Sequence, residues 1–512
     1  MFGPHGVRAM TRRIVFASLF SLLAASPAFA QAKPDMPAPP VAPTPAEPEQ
    51  PVQPVVAPQP GPDAMRPPTP PVAPEPPATP PPAPTPSPGS PTFVKGKTEL
   101  TFYGFMQLYG IYDSTQGLNE QAQNTAIARP GTYAGAHGQS QLSARHSRLG
   151  LKLAQPVSDD IKATAQFEMD FLGNQPANPP TVTESAFYQN ATFRFRHVFA
   201  KLETPVVDIV GGQWWSLFGW QSYFHPNSVE IMGLPGQAYK RVAQVRFAKT
   251  IKGDAVNVDL AIAAQRPPQR ASATPDGVAG VKLTFNNLKG WRTRGANDSG
   301  LDAAAIGVSG IGRRFAVDEF AASPKSQVVT YGYGASIDAM VPIIPATKES
   351  HGNALTMTGS FVQGAGIEDQ YDGLTFGVSN PSLPNPGMAN PAPAYTANID
   401  NGLAMFTSDG SLHAVKLQTY MVGAQYYLPG SGKAWLSLNY THTSSDNAAD
   451  LGNTQKVWTK ANYFDANLFV DVTPGVRAGL MYSRIDQTFA AASHNETDAV
   501  NNRVTGTLML LF

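Results

Sequence analysis

From Thr98 onward the chain alternates apolar and polar residues. Ile161, Ala163, Ala165, Phe167, Met169 and Phe171 are separated by Lys162, Thr164, Gln166, Glu168 and Asp170. Val256, Val258, Leu260 and Ile262 repeat the pattern, as do Leu355, Met357, Gly359 and Phe361, and Val476, Ala478, Leu480 and Tyr482. Period two over segments of about ten residues is the signature of strands that face lipid on one side and a polar interior on the other. The pattern predicts an all-β transmembrane antiparallel barrel of about 16 strands. The candidate strands fall at 99–112, 143–154, 160–172, 191–202, 206–215, 241–251, 254–265, 277–286, 302–315, 328–341, 353–365, 413–428, 433–444, 456–472, 475–487 and 500–512.

The connections alternate in length, as short turns at one barrel end and long loops at the other require. Gln155–Asp159, Glu203–Pro205, Lys252–Gly253, Pro429–Gly432 and Thr473–Pro474 are short. Asp113–Leu142, Gly173–Asn190, Ser216–Lys240 and Gly366–Leu412 are long. Asn287–Leu301 and Pro342–Gly352 break the alternation and read as insertions, or as places where the count of strands is off. In the last strand Val504, Gly506, Leu508, Leu510 and Phe512 share one face. An apolar strand closing on Phe512 is the kind of signal that barrel-assembly machinery reads.

The N-terminal region sets the compartment. Arg8, Arg12 and Arg13 precede the apolar run Ile14–Leu23, and Ala28-Phe29-Ala30 follows. Residues 1–30 therefore read as a secretory signal peptide. Residues 31–92 hold 26 of the 49 prolines. Such a segment buries no core and reads as a disordered, PPII-like periplasmic linker, with possible cell-wall contact. Residues 93–512 form the barrel domain, placed in the Gram-negative outer membrane in contact with its lipid. Net charge is +0, so no basic excess points to nucleic acid, and the absence of cysteine excludes thiolate metal sites, disulfides and cysteine nucleophiles. No catalytic group, metal or cofactor is expected.

Strand phase then assigns the lumen. With Leu149, Leu151 and Leu153 toward lipid, His146, Arg148 and Lys152 point inward; with Phe193 and Phe195 outward, Arg194 and Arg196 point inward; with Val245 and Phe247 outward, Gln244 and Arg246 point inward. These cations form a candidate selectivity ladder attractive to anions. Glu168 and Asp170 lie on the strand between and offer ion-pair partners that stiffen the wall instead. The third long loop carries Trp214, Trp215, Trp220 and Phe224, too aromatic to stand in water. It is expected to fold inward as a constriction and to set Glu230 opposite the arginine wall; packing on a neighbouring subunit is the other outlet for those rings.

Several short motifs carry a family resemblance: Tyr103-Gly104-Phe105, Ser147-Arg148-Leu149-Gly150, Arg194-Phe195-Arg196-His197, Val210-Gly211-Gly212-Gln213-Trp214-Trp215 and Gln244-Val245-Arg246-Phe247. From Thr98 to Phe512 the chain resembles trimeric bacterial porins, and among them the DcaP-like porins. That resemblance implies a sixteen-stranded homotrimer, an inward third loop, and passive uptake of small hydrophilic solutes, often anions such as dicarboxylates. The family's helical periplasmic extension does not fit residues 31–92, whose prolines forbid helix. Two other classes are open. One is a plugged structural barrel tethered to the cell wall through the proline segment. The other is a barrel phospholipase built on His442 and Ser444, which share a strand face, with Asn447 to orient the ring.

Overall fold

In the computed structural model the described residues are 90–173, 191–270, 272–296, 298–319, 325–379, 399–407 and 410–512. Residues 1–30, read above as a signal peptide, and nearly all of the proline segment lie outside them, as does most of the second long loop.

Sixteen strands make the wall: β1 (Thr98–Asp113), β2 (Arg148–Pro156), β3 (Lys162–Gly173), β4 (Thr192–Glu203), β5 (Asp208–Trp215), β6 (Arg241–Ile251), β7 (Val256–Gln265), β8 (Asp276–Thr293), β9 (Ser299–Asp318), β10 (Gln327–Ile344), β11 (Leu355–Ala365), β12 (Lys416–Tyr427), β13 (Ala434–Ser444), β14 (Trp458–Thr473), β15 (Val476–Ser493) and β16 (Glu496–Leu511). Each pairs antiparallel with the next, and β1 closes on β16 with Phe105 opposite Leu511 and Asp113 opposite Arg503. Gly104 and Phe512 complete the seam by exchanging backbone hydrogen bonds of 2.9 and 3.1 Å. Closure leaves no strand edge, the condition for crossing hydrocarbon, where each unpaired backbone group costs several kcal/mol. Among the described residues no helix is long and apolar enough to cross a membrane.

The alternation sorts the two faces as expected. Met106, Leu108 and Tyr112 of β1 are exposed outward, while Phe105, Gln107, Tyr109 and Asp113 are buried inside. On β16 Val504, Leu508 and Leu510 face out and Arg503, Thr505 and Met509 face in. Tyr112, Phe193, Phe195, Tyr331, Tyr333, Tyr420 and Tyr440, all exposed, lie toward the long-loop end, where an aromatic girdle meets the membrane interface.

Four sequence expectations need correction. The second strand is split: Gln139–Ser143 pairs with the upper part of β1, and β2 begins only at Arg148. The last loop, between β15 and β16, is a two-residue turn at His494-Asn495, both with positive φ, as a type I′ hairpin demands. Asn287–Leu301 is no loop insertion, because β8 and β9 run on to Thr293 and from Ser299. Trp214 and Trp215 are the last residues of β5 and not loop residues. Pro342–Gly352 holds better, since β10 ends at Ile344 and β11 starts at Leu355. Ahead of the barrel, Thr92–Lys95 pairs with Thr98–Thr101 below Phe512, in line with β16.

Candidate functional site: the barrel lumen

The third long loop (216–240, L3) does fold inward. Leu217, Phe218, Phe224, Val229, Met232 and Leu234 are buried. Gly219 N–H donates to Ser309 Oγ on β9 at 2.7 Å, and the Trp220 indole to the Val308 carbonyl at 3.1 Å. Asn227 takes hydrogen bonds from Trp435, Ser437 and Asn439 of β13. The Val229 amide donates to Asn467 of β14 and its carbonyl accepts from Tyr109 of β1 at 2.6 Å. The loop thus crosses the lumen and is fastened to opposite walls. Glycine makes room for it: a Cβ on Gly307 would stand 2.8 Å from both the Trp220 and Phe224 rings.

Leu118, Ala122 and Ile127 of the β1–β2 loop join L3 in one apolar cluster with Ile367, Tyr371, Leu374 and Phe376 of the β11–β12 loop and Leu451 and Val457 of the β13–β14 loop. Four loops therefore form a hydrophobic roof over the long-loop end. Below it lies a cavity of about 660 Å³, lined in part by Tyr103, Arg148, Lys152, Glu168, Arg196 and Glu230.

The basic ladder is present, with partners unevenly shared. Arg194 grips Asp170 through two bonds of 3.0 and 2.7 Å. Arg196 reaches Glu168 at 2.6 Å, Asp170 at 3.1 Å and the Tyr239 hydroxyl at 3.2 Å. Arg196 and His197, though consecutive, are both buried inside because a bulge sets Met169 opposite Phe195 and Glu168 opposite His197. Arg148 stands 3.7 Å from Glu168, which also accepts from Tyr103 at 2.9 Å. Among the described residues Lys152, Arg241 and Arg246 touch no carboxylate. Lys152 Nζ sits 4.7 Å over Tyr103, Arg246 lies 4.7 Å over Trp214 and donates to the Trp215 carbonyl at 2.6 Å, and Arg241 lies 5.4 Å over both Trp215 and Tyr239. Guanidinium on indole is a favourable site that leaves its charge uncancelled.

Glu230 does not face that wall. It pairs with Arg503 of β16 at 2.7 Å and accepts from the Ala122 amide at 2.8 Å, while Arg503 is also held by Asp113 at 2.8 Å. Arg503 was nonetheless legible: the phase that turns Val504 and Leu508 to lipid turns Arg503 inward. Within L3, burial and the neighbouring Arg292 and Arg241 push His225 down to about 3, so it is a neutral ring stacked on Tyr239. Burial raises the Tyr239 hydroxyl, but Arg196, Arg241 and Arg148 outweigh it and lower its titration below the usual tyrosine range.

His442 and Ser444 do share a face, the outward one with Leu436 and Leu438. His442 bonds to Asn462 at 2.8 Å and stacks on Tyr420, while Asn447 binds the backbone of Lys416 and Ala414. No hydrogen bond joins the three, and the described residues contain no cluster suited to a metal ion.

A closed sixteen-stranded barrel with a polar interior and a third loop fastened inside it is the fold of the outer-membrane porins. Within that class the chain matches the outer membrane channel DcaP of Acinetobacter baumannii with a TM-score of 0.56 and 16% identity, over 82% of this chain and 99% of that one. Salmonella typhi OmpF in complex with daunomycin (TM-score 0.46, 10% identity, 82% and 100% covered) and the anion-selective porin from Comamonas acidovorans (0.44, 11%, 81% and 100%) are more distant. No protein-family model matches the chain, and no curated protein does.

Proposed function

We propose that the protein is a non-enzymatic outer-membrane porin, a homotrimer that lets small hydrophilic solutes diffuse passively and favours anions such as dicarboxylates. The observation that supports the anion preference is the uneven pairing on the β2–β6 wall. Glu168 and Asp170 are taken up by arginines, whereas Lys152, Arg241 and Arg246 rest on aromatic rings with no carboxylate partner among the described residues. A narrow lumen walled by low-dielectric protein focuses such a surplus on passing ions. The roof of packed loops favours a narrow, selective path over a wide one.

Planar-bilayer recording of the reconstituted protein tests this reading. Ion current with a reversal potential on the anion side is expected, and no current at all would favour the plugged structural barrel. Lys152→Gln and Arg246→Gln should each move the reversal potential toward cations. Arg194→Gln also leaves Asp170 with Arg196 as its one arginine partner among the described residues and should move it in the same direction. A selectivity indifferent to all three places the charges off the conduction path. Barrel lipase activity has less support, since the His442 ring is engaged by Asn462.

A further inference from the structure

The β8–β9 hairpin leaves the barrel wall. Pairing of β8 with β7 stops at Phe285 opposite Val256, and pairing of β9 with β10 begins only at Ala305 opposite Met340. Beyond those points residues 289–293 and 299–303 pair with each other alone, after a register shift between Phe285 and Lys289. A bulge of this kind bends a strand pair, and here it turns the hairpin across the barrel.

What the hairpin touches shows where it goes. The Lys289 carbonyl accepts from the Ala346 amide at 3.1 Å, and Trp291 stacks on His351 at 4.2 Å. Thr293 exchanges two hydrogen bonds with Gln425 of β12, at 2.9 and 3.0 Å, and its hydroxyl meets that of Tyr427 at 2.6 Å. At the tip, Arg477 of β15 donates to the Ala296 carbonyl at 2.8 Å and is itself held by Asp471 at 2.6 Å. Ala296 is buried against Phe105 of β1, Met509 of β16 and Ile231 of L3. Ala346, His351, Gln425, Tyr427 and Arg477 all lie at the short-turn end. The hairpin therefore starts from the β8–β9 wall and lands on β12, β15, β16 and β1.

Its tip and L3 bound the same cavity. Arg294, Ala296 and Asp298 line it together with Glu230, Ile231 and Met232. On the far side Arg292 lies under the Tyr223 ring and bonds the Tyr223 carbonyl, and the Tyr223 hydroxyl donates to the Ala303 carbonyl at 2.7 Å. Resting on the channel reading above, we propose that the β8–β9 tip is a second constriction, at the periplasmic mouth. L3 and the hairpin then bound two sides of the cavity of about 660 Å³, which also reaches Glu99, Ala154 and Lys162 at the short-turn end. A solute leaves it past Arg294 and Asp298, and Arg477 is the positioning residue that latches the tip across the mouth.

The test removes the tip. Deleting residues 290–300 and joining the bulge to Leu301 by a two-residue turn should raise single-channel conductance roughly twofold or more, because the mouth is widened. Arg477→Gln keeps the hairpin and should add conductance fluctuations absent from the parent. A deletion variant that still shows heat-modifiable barrel migration and conducts like the parent overturns the proposal. Should the deletion not assemble, the chain's lack of cysteine allows Asp298→Cys and a bulky charged thiol reagent added from the short-turn side. Partial block of the current is expected, and full current after complete modification is equally fatal. Absence of current in the parent would instead sink the channel reading itself, so the two failures are distinct.

Discussion

At the scale of single residues, the lumen holds charges whose worth depends on what surrounds them. Arg503 is buried between Asp113 and Glu230 and ties β16 to β1 and L3 at once. Removing one partner of a buried pair leaves the others uncompensated and costs about 3–5 kcal/mol. Arg503→Met should therefore lower the temperature at which the barrel loses its heat-modifiable form, by more than Arg484→Met at the exposed pair with Asp486. Equal shifts for the two would mean that Arg503 is not a structural anchor. Glu368, in the β11–β12 loop, is the converse case: both carboxylate oxygens are buried without a side-chain hydrogen-bond partner. Burial raises it well above the usual glutamate range. Because the folded value is above the unfolded one, the folded state holds its proton longer, and stability falls as pH climbs from the unfolded value toward the folded one. Glu368→Gln should leave acid stability alone and raise thermal stability at neutral pH. A variant with the parent's pH profile would count against this.

Among elements, strands were legible and their irregularities were not. Period two survives in a membrane barrel because lipid and lumen impose opposite demands on alternate residues, so the phase of β2, β4 and β6 could be read without a structure. Bulges erase that signal locally. Past Phe285 the run Asn286-Asn287-Leu288 interrupts the alternation, which made the inward hairpin look like a loop insertion. The aromatic content of L3 gave away its inward fold, yet not its landing points, since those depend on hydrogen bonds to β9, β13 and β14 that have no sequence pattern. The same spacing problem sent Glu230 to the wrong wall. L3 also explains glycines that strand propensity disfavours. Gly307→Val puts a branched side chain where Trp220 and Phe224 lie, and overpacking of this kind costs about 1–3 kcal/mol. The expected outcome is a barrel that still assembles but in which L3 is displaced, seen as altered conductance and greater protease sensitivity within residues 216–240. Conductance and digestion like the parent's would show that L3 does not depend on that contact.

Considered as one molecule, the barrel concentrates its design on one wall. The β2–β6 side carries Lys152, Arg241 and Arg246, which pair with no carboxylate among the described residues, and the aromatic faces on which they rest. Arg292, Arg313, Arg477 and Arg503 on other strands are each ion-paired. Opposite the β2–β6 side, buried carboxylates sit in hydrogen-bond networks, as Asp465 does with Asn439, Asn467 and Ser228. In the proposed channel, selectivity is set by a field, and fields are screened. The Debye length is about 10 Å at 0.1 M salt and about 3 Å at 1 M. At low salt the uncancelled cations of the wall act across the whole lumen, whereas at high salt they act only on ions close to them. Anion preference measured at a fixed salt ratio across the bilayer should therefore weaken steadily as total ionic strength rises. Lys152→Gln should flatten that dependence, because Lys152 Nζ rests on an aromatic face and forms no ion pair among the described residues. A preference that does not change with salt would point to fit at the constrictions as its source. In that event the hairpin and L3, more than the basic wall, would decide which solutes pass.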